Sequence, residues 1–349
     1  MALRIMRRFD VLLLIALSIG ISLSGCDSGR RPLVPPRLSL AASIYVGWMP
    51  WFLAAQDGTL AQHAKEHGLD IQFVQGDYLE TVNQLANGKV DAVTVTNMDA
   101  MAFLAGEGVA SDVILISSYS HGNDAILLRP QAADDVTRGP IGLVEFSVSH
   151  YLLDRYLERE NIPHDAVQRR HVSDASMAVV FEDPMSELLG VVTWNPILRK
   201  IENRLKVRRI FDSRMIEGEI ADMLVIRRAV LQKHPEFAQA LLATWFDMME
   251  RMRGSQRFAD LERMAQLAQA DLEGYEQELT TTLFMKTPEI ALGYLRDPHL
   301  RDTMGCVRAF IARHNFVSEM PSEPWVSYAG DPSALLHFND RSLLRYLGR

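Results

Sequence analysis

The sequence predicts an α/β protein of two lobes, each a mainly parallel sheet flanked by helices, joined by a hinge of two crossings. Three observations carry this. Between Ser43 and Arg129 one unit recurs four times: an apolar strand, a polar cluster and, in three of the four, a helix. A second α/β set follows a polar, turn-rich stretch from Pro130 to Pro140. Beyond that set, Ala221 to Arg227 is strand-like again and can carry the chain back to the first lobe.

The amino-terminal residues read as an export signal. Arg4, Arg7 and Arg8 precede an apolar run from Val11 to Leu23, too short for a membrane-spanning helix, which needs about 20 residues. Small residues then lead to Cys26. Residues 1–25 are therefore expected to be a cleaved leader, and residues 26–42, with the Pro- and Arg-containing stretch Arg30 to Pro36, a flexible tether. Cys306 is the one other cysteine, which argues against a disulfide framework or a cysteine–zinc cluster. The chain carries a formal charge of −8, and loss of three Arg and one Asp with the leader takes it to −10. So acidic a protein is a poor nucleic-acid binder and mildly favours cationic ligands.

The first lobe is expected over residues 43–127 and 222–349, the second over 128–221. In the first, the strands Ile44 to Val46, Ile71 to Val74, Val93 to Val95 and Val113 to Ile116 each run into a polar cluster: Gly47 to Trp51, Gly76 to Tyr78, Thr96 to Asp99 and His121 to Asp124. In a parallel sheet all four clusters share the carboxyl edge, where open α/β sheets bind ligands. Helices are expected from Trp51 to Glu66, Leu79 to Asn87 and Asp99 to Ala105, the second stopped at Asn87-Gly88. In the second lobe the expected strands are Ile141 to Val144, Val167 to Val172, Leu188 to Trp194 and Val207 to Phe211, with helices from Ser149 to Glu160, Ala175 to Phe181 and Pro196 to Asn203. The remainder reads as helical over Pro235 to Met252, Arg257 to Ala270 and Pro288 to Leu295.

Seven stretches, taken together and in order, give the chain a family resemblance: Tyr45 to Trp51, Asp77 to Asn83, Thr96 to Ala100, Gly122 to Ala125, Val144 to Tyr151, Val192 to Pro196 and Gly218 to Asp222. They resemble the periplasmic substrate-binding proteins of ABC importers that include the nitrate, taurine and sulfonate binders. More narrowly, they are similar to the urea carboxylase-associated branch, linked to urea and guanidine. Leu23-Ser24-Gly25-Cys26 resembles a bacterial lipobox, which implies lipidation of Cys26, and Asp27 after it implies retention at the inner membrane. The resemblance implies the type II periplasmic binding protein fold, a small-molecule solute, an ABC permease as partner, no cofactor, and a lipid-anchored monomer in the periplasm.

The expected cleft is acidic. Asp77, Glu80, Asp99 and Asp124 fall at or just past strand ends of the first lobe, and Glu145 at the end of the first strand of the second. Carboxylates repel a sulfonate or nitrate, whereas a guanidinium finds charge-assisted hydrogen bonds. Trp48 and Trp51 offer a stacking face, though their i, i+3 relation about Pro50 leaves one of them for the core. Asn97 and Asn195 suit amides or carbonyls, and Glu219 and Asp222 near the return crossing either meet the ligand or pair with neighbouring arginines. The competing role for each Asp is helix capping. His63-Ala-Lys-Glu-His67 lacks the glutamate position of a zinc protease and reads as a solvated helix face. There is no phosphate loop, dinucleotide glycine pattern or nucleophile elbow.

Three functions follow from this reading: a binding protein delivering guanidinium or urea-like solutes by hinge closure, a binder of sulfonate or nitrate on the same scaffold, or an enzyme related to thiamine-pyrimidine synthases. The first is preferred.

Overall fold

A computed structural model describes residues 34–317, 325–330 and 332–349. The expected leader, Cys26 and the tether up to residue 33 lie outside the described residues. The thirteen strands among the described residues fall within the body Pro36–Arg349.

In chain order the strands are β1 Arg37–Ala42, β2 Asp70–Gln75, β3 Ala92–Thr96, β4 Ser111–Ser120, β5 Asp124–Leu128, β6 Ile141–Leu143, β7 Arg169–His171, β8 Gly190–Trp194, β9 Arg208–Asp212, β10 Ala221–Arg227, β11 Thr282–Phe284, β12 Val326–Tyr328 and β13 Leu336–Phe338. They form two sheets. Sheet A has the order β12-β13-β4-β10-β3-β1-β2, with β11 also on β4; sheet B runs β7-β6-β8-β5-β9. The chain leaves sheet A after β4, builds sheet B, and returns as β10.

Most pairs are parallel, as expected, and the exceptions are informative. In sheet A, β1 pairs in parallel with β2 and β3, while the returning β10 runs antiparallel between β3 and β4. In sheet B, β5 runs antiparallel to both β8 and β9. The strands next to the two crossings thus reverse the local direction. Because β10 is antiparallel to both neighbours, β3 and β4 point the same way, and the carboxyl ends of β1 to β4 do share one edge.

Burial explains why these segments are strands. Every residue of β3, β4 and β5 is buried, as expected of strands covered on both faces, and each Val, Ile or Leu there contributes about 1.5–3 kcal/mol by leaving water. The first strand is a correction to the sequence reading. β1 is Arg37–Ala42, within the stretch expected to be tether, and Ile44-Tyr45-Val46 instead leads into a 3₁₀ turn, Val46–Trp48. Arg37 to Ala42 has few β-branched residues, but its burial alternates at the start and its last three residues are fully covered.

The expected helix from Trp51 to Glu66 is two helices, Met49–Asp57 and Thr59–Glu66. Gly58 between them sits at φ 89°, a left-handed conformation that glycine adopts without strain. Asp57 accepts from the Thr59 amide and hydroxyl at 3.0 and 2.7 Å, and its second oxygen accepts from Arg251 at 2.7 Å on the helix Pro235–Arg251. The expected helix from Asp99 to Ala105 is one turn, Asn97–Asp99, continued by a π-helical stretch, Ala100–Ala105.

Candidate functional site

The carboxyl edge of sheet A faces sheet B across a cleft of about 560 Å³. Its lining includes Ser43 and Ile44 after β1, Gly76 and Asp77 after β2, Thr96 at the end of β3, and Asn123 and Asp124 after β4. Ser147 and Val148 open the helix Val148–Glu160 behind β6, Asp174 starts the helix Asp174–Glu182 behind β7, and Trp194 ends β8. Both sheets therefore contribute.

Five carboxylates line this space, those of Asp77, Glu80, Asp124, Asp174 and Asp222, together with four aromatic rings, Tyr45, Trp48, Tyr78 and Trp194. No Lys, Arg or His is among the lining residues. Three of the aromatics touch through Trp48: Tyr45 meets it edge-on with centroids 4.9 Å apart, and Tyr78 lies 5.5 Å from it. Gly47 makes this close approach possible, since a Cβ there would stand 2.6 Å from the Tyr45 ring and 3.0 Å from Ser118 Oγ.

Two of the carboxylates are buried. Asp222 Oδ2 accepts from Ser118 Oγ at 2.7 Å, and Tyr45 also hydrogen-bonds it. Asp124 Oδ2 accepts from Ser120 Oγ at 2.5 Å. Burial pushes the Asp222 carboxyl up to about 7, with the nearby Asp124 charge adding to the effect and the Ser118 and Tyr45 bonds opposing it. Burial likewise raises Asp124 to about 6 against the bonds from Ser120 and Asn123. Isolated negative charge is costly in such a place, so a cation bound between them would relieve it. Asp77 and Glu80 are exposed at the mouth; Asp77 is the N-cap of Tyr78–Ala86 but makes no side-chain capping bond.

The remaining expected site residues take other positions. Trp51 is 1% exposed and packs on Trp245 at 5.4 Å, so it is the indole the core takes, while Trp48 lines the cleft. Asp99 sits one layer behind the lining, where Tyr78 and Thr96 hydroxyls donate to it at 2.5 and 2.9 Å; burial raises its carboxyl to about 6. It orients the Tyr78 ring. Asn97 ties β3 to the return crossing, donating to the Glu219 carbonyl at 3.0 Å and accepting from the Ala221 amide at 3.1 Å.

Asn195 accepts from the Arg199 amide at 3.2 Å and donates to Thr281 at 3.3 Å, fixing the start of the helix Ile197–Arg204. Glu219 is engaged by Arg155 at 2.7 and 3.0 Å and by the Tyr151 hydroxyl at 2.6 Å, which leaves its carboxylate no free face for a solute. Glu145 lies outside the cleft lining; its amide meets His171 Nδ1 at 3.3 Å. Glu145 thus stands apart from the lining, and Glu219 takes the second of its two expected roles, pairing with an arginine. Sequence reasoning did not single out Tyr45, Tyr78, Asp174 and Trp194. The first two lie in the polar clusters it marked, and Trp194 ends a strand it placed, so position at a carboxyl edge was the usable signal.

No protein-family model and no curated protein matches the sequence. Solved structures do. The aliphatic sulphonate binding protein SsuA of Escherichia coli superposes with a TM-score of 0.66 at 16% identity, over 82% of this chain and 94% of that one. This is the periplasmic binding protein fold. The periplasmic nitrate-binding protein NrtA of Synechocystis has the same fold at a TM-score of 0.56 and 12% identity, covering 90% of this chain and 98% of its own. The desulfurization enzyme DszB also has it, at 0.59 and 13% identity over 90% and 99%. A binding-protein fold thus serves solute capture in some proteins and catalysis in another.

Proposed function

We propose that this chain is the solute-binding component of an ABC importer and that its solute is a small organic cation of the guanidinium type. The observation that carries this is the cleft lining: five carboxylates and four aromatic rings with no cationic side chain. A planar cation would lie against this aromatic wall and donate to Asp124 and Asp222, gaining cation–π attraction and charge-assisted hydrogen bonds together. Urea, flat but neutral, would use the same acceptors with less gain.

The mechanism is hinge closure. Asp222 belongs to a strand of sheet A and Asp124 and Trp194 to strands of sheet B, so one solute can engage both lobes and favour the closed form that a permease recognises. The two lobes follow the bounds of the sequence reading, 43–127 with 222–349 and 128–221, except that β1 pairs within the first and β5 within the second. The lipid anchor at Cys26, retention at the inner membrane and a monomeric state belong to the same proposal.

A second reading, capture of a sulfonate or nitrate, has support of its own. SsuA and NrtA bear those names, and the amino termini of Tyr78–Ala86 and Val148–Glu160 point N–H groups toward the edge of the cleft. The acidic lining favours the cation. An enzymatic role, for which DszB is the structural analogue, lacks a Cys or His among the cleft-lining residues.

Thermal-shift titration with millimolar guanidinium, urea, taurine and nitrate in parallel separates these readings. A ligand at 100 times its dissociation constant stabilises the native state by roughly 2.7 kcal/mol, a shift of several degrees. Guanidinium alone is expected to give it. A shift with taurine or nitrate and none with guanidinium would overturn the cation assignment, and conversion of any bound compound would favour the enzyme.

A further inference from the structure

Away from the cleft, three histidines from three elements converge on one carboxylate, that of Asp154. His150 and Asp154 stand one turn apart on the same face of the helix Val148–Glu160 and are both buried. His314 follows the helix Pro298–Arg313, and His164 opens the 3₁₀ turn His164–Ala166. A ligand atom from each of His150, Asp154 and His314 lies within 4.8 Å of the others. His164 Nδ1 approaches Asp154 Oδ1 to 3.2 Å, His314 Nε2 approaches Oδ2 to 2.8 Å, and His150 Nε2 stands 4.0 Å from Oδ1.

We propose that His150, Asp154 and His314 bind one divalent transition metal, with Zn²⁺ the best match to two imidazoles and a carboxylate. The decisive observation is what these atoms lack. Among the described residues, His150 Nε2 and Asp154 Oδ1, 4.0 Å apart, make no hydrogen bond, the nearest group to the carboxylate oxygen being His164 Nδ1 at 3.2 Å, although buried polar atoms in folded proteins are nearly always paired. A metal would satisfy both. Zinc bonds of about 2.0–2.2 Å place neighbouring tetrahedral ligand atoms about 3.3 Å apart, and the ligand atoms of His150, Asp154 and His314 already lie within 4.8 Å of one another. Imidazole nitrogen selects Zn²⁺, Cu²⁺ or Ni²⁺ over Mg²⁺ or Ca²⁺.

The surroundings shape the site without closing it. Arg313 donates to Asp154 Oδ2 at 2.7 Å and to Glu158 at 2.7 Å, sharing Oδ2 with His314 and leaving Oδ1 toward His150 and His164. Phe310 packs against His150 and His314 with centroids 5.1 and 4.9 Å away, and keeps that side apolar. Two contacts must give way, the first being the 2.8 Å hydrogen bond between His314 Nε2 and Asp154 Oδ2. In the second, Phe146 N–H donates to His150 Nδ1 at 3.3 Å, whereas an imidazole bound through Nε2 carries its proton on Nδ1. The bound metal would pin the helix that forms one cleft wall to a helix of the carboxyl-terminal region.

The test is calorimetric titration of the purified full chain with Zn²⁺ after chelator treatment, alongside His314→Gln, His164→Gln and a His63→Gln, His67→Gln double variant. His314 follows a helix end and His164 is a quarter exposed at a turn, so both substitutions preserve folding. One Zn²⁺ per chain is expected, weakened at least tenfold by His314→Gln, less by His164→Gln and unchanged in the double variant, with Co²⁺ giving the intense visible absorption of a tetrahedral site. Absence of saturable binding would overturn the proposal, as would binding that depends on His63 and His67 instead. In either case the four residues would be a hydrogen-bonding network and nothing more.

Discussion

Asp124 and Asp222 hang from alternate residues of one strand: Ser120 of β4 donates to the first at 2.5 Å and Ser118 to the second at 2.7 Å. Residues two apart on a strand share a face, so a single strand presents both buried acids to the cleft although one belongs to sheet A and the other to sheet B.

Neutralising either acid should separate binding from stability. Asp222→Asn removes a carboxylate that burial has driven up to about 7, and charge-assisted bonds contribute about 1.5–3 kcal/mol, so guanidinium affinity is expected to fall roughly 10- to 100-fold. The ligand-free variant should melt at or above the temperature of the wild type at pH 8. Unchanged affinity in calorimetry would remove Asp222 from the site.

The same acids fix the pH response. Their folded values of about 6 for Asp99 and Asp124 and about 7 for Asp222 exceed the value of about 3.9 of an unfolded Asp. The folded state therefore holds extra protons between about pH 4 and 7, and the stability these groups contribute is full below that window and lost as the pH rises through it. A cation reverses the preference, because it binds the ionised form. Ligand-induced thermal shifts should grow from pH 5 to pH 8, and binding near pH 6.5 should release protons, seen as a dependence of the calorimetric enthalpy on buffer ionisation. A shift that grows toward pH 5 would contradict a cationic solute.

The two indoles of the Gly47 to Trp51 segment should behave differently. Trp51→Ala empties a site packed against Trp245 and should cost about 3–5 kcal/mol of stability, read by denaturant unfolding. Trp48→Phe should preserve the fold while weakening stacking on the ligand, read as lower affinity with little change in melting temperature.

Substitutions at Glu219 and Glu145 test which acids meet the solute. Glu219→Ala breaks a mostly buried pair with Arg155, whose side chains are 11% and 25% exposed, and should destabilise by about 3 kcal/mol while the folded fraction binds solute as before. Glu145→Gln should alter neither stability nor affinity. A tenfold loss of affinity in Glu145→Gln would show that the cleft closes further than its lining suggests.

Much of this architecture was legible in the sequence. Val93 to Val95, Val113 to Ile116, Leu188 to Trp194 and the returning Ala221 to Arg227 are apolar runs that can only be strands buried on both faces, and the polar clusters after them located the cleft edge. Local pattern failed at β1, where Leu, Ser and Ala lack strand propensity and only pairing with β2 and β3 makes a strand, and at β5, a five-residue run too short to tell from a continuation of the previous unit. Trp48, Asp77 and Asp124 line the cleft because they follow strand ends. Which arginine pairs with Glu219 was not legible, because Arg155 lies 64 residues away, a distance that no local rule spans.

The position of β10 bears on how the molecule comes into being. It separates β3 from β4 in the middle of sheet A, yet it is synthesised only after the whole of sheet B. A nascent chain that has reached Asp212 carries two unsatisfied strand edges with nothing to put between them, the kind of surface on which unfinished polypeptides associate. The emergence of Ala221 to Arg227 is the moment at which the growing chain can first shield that surface by itself.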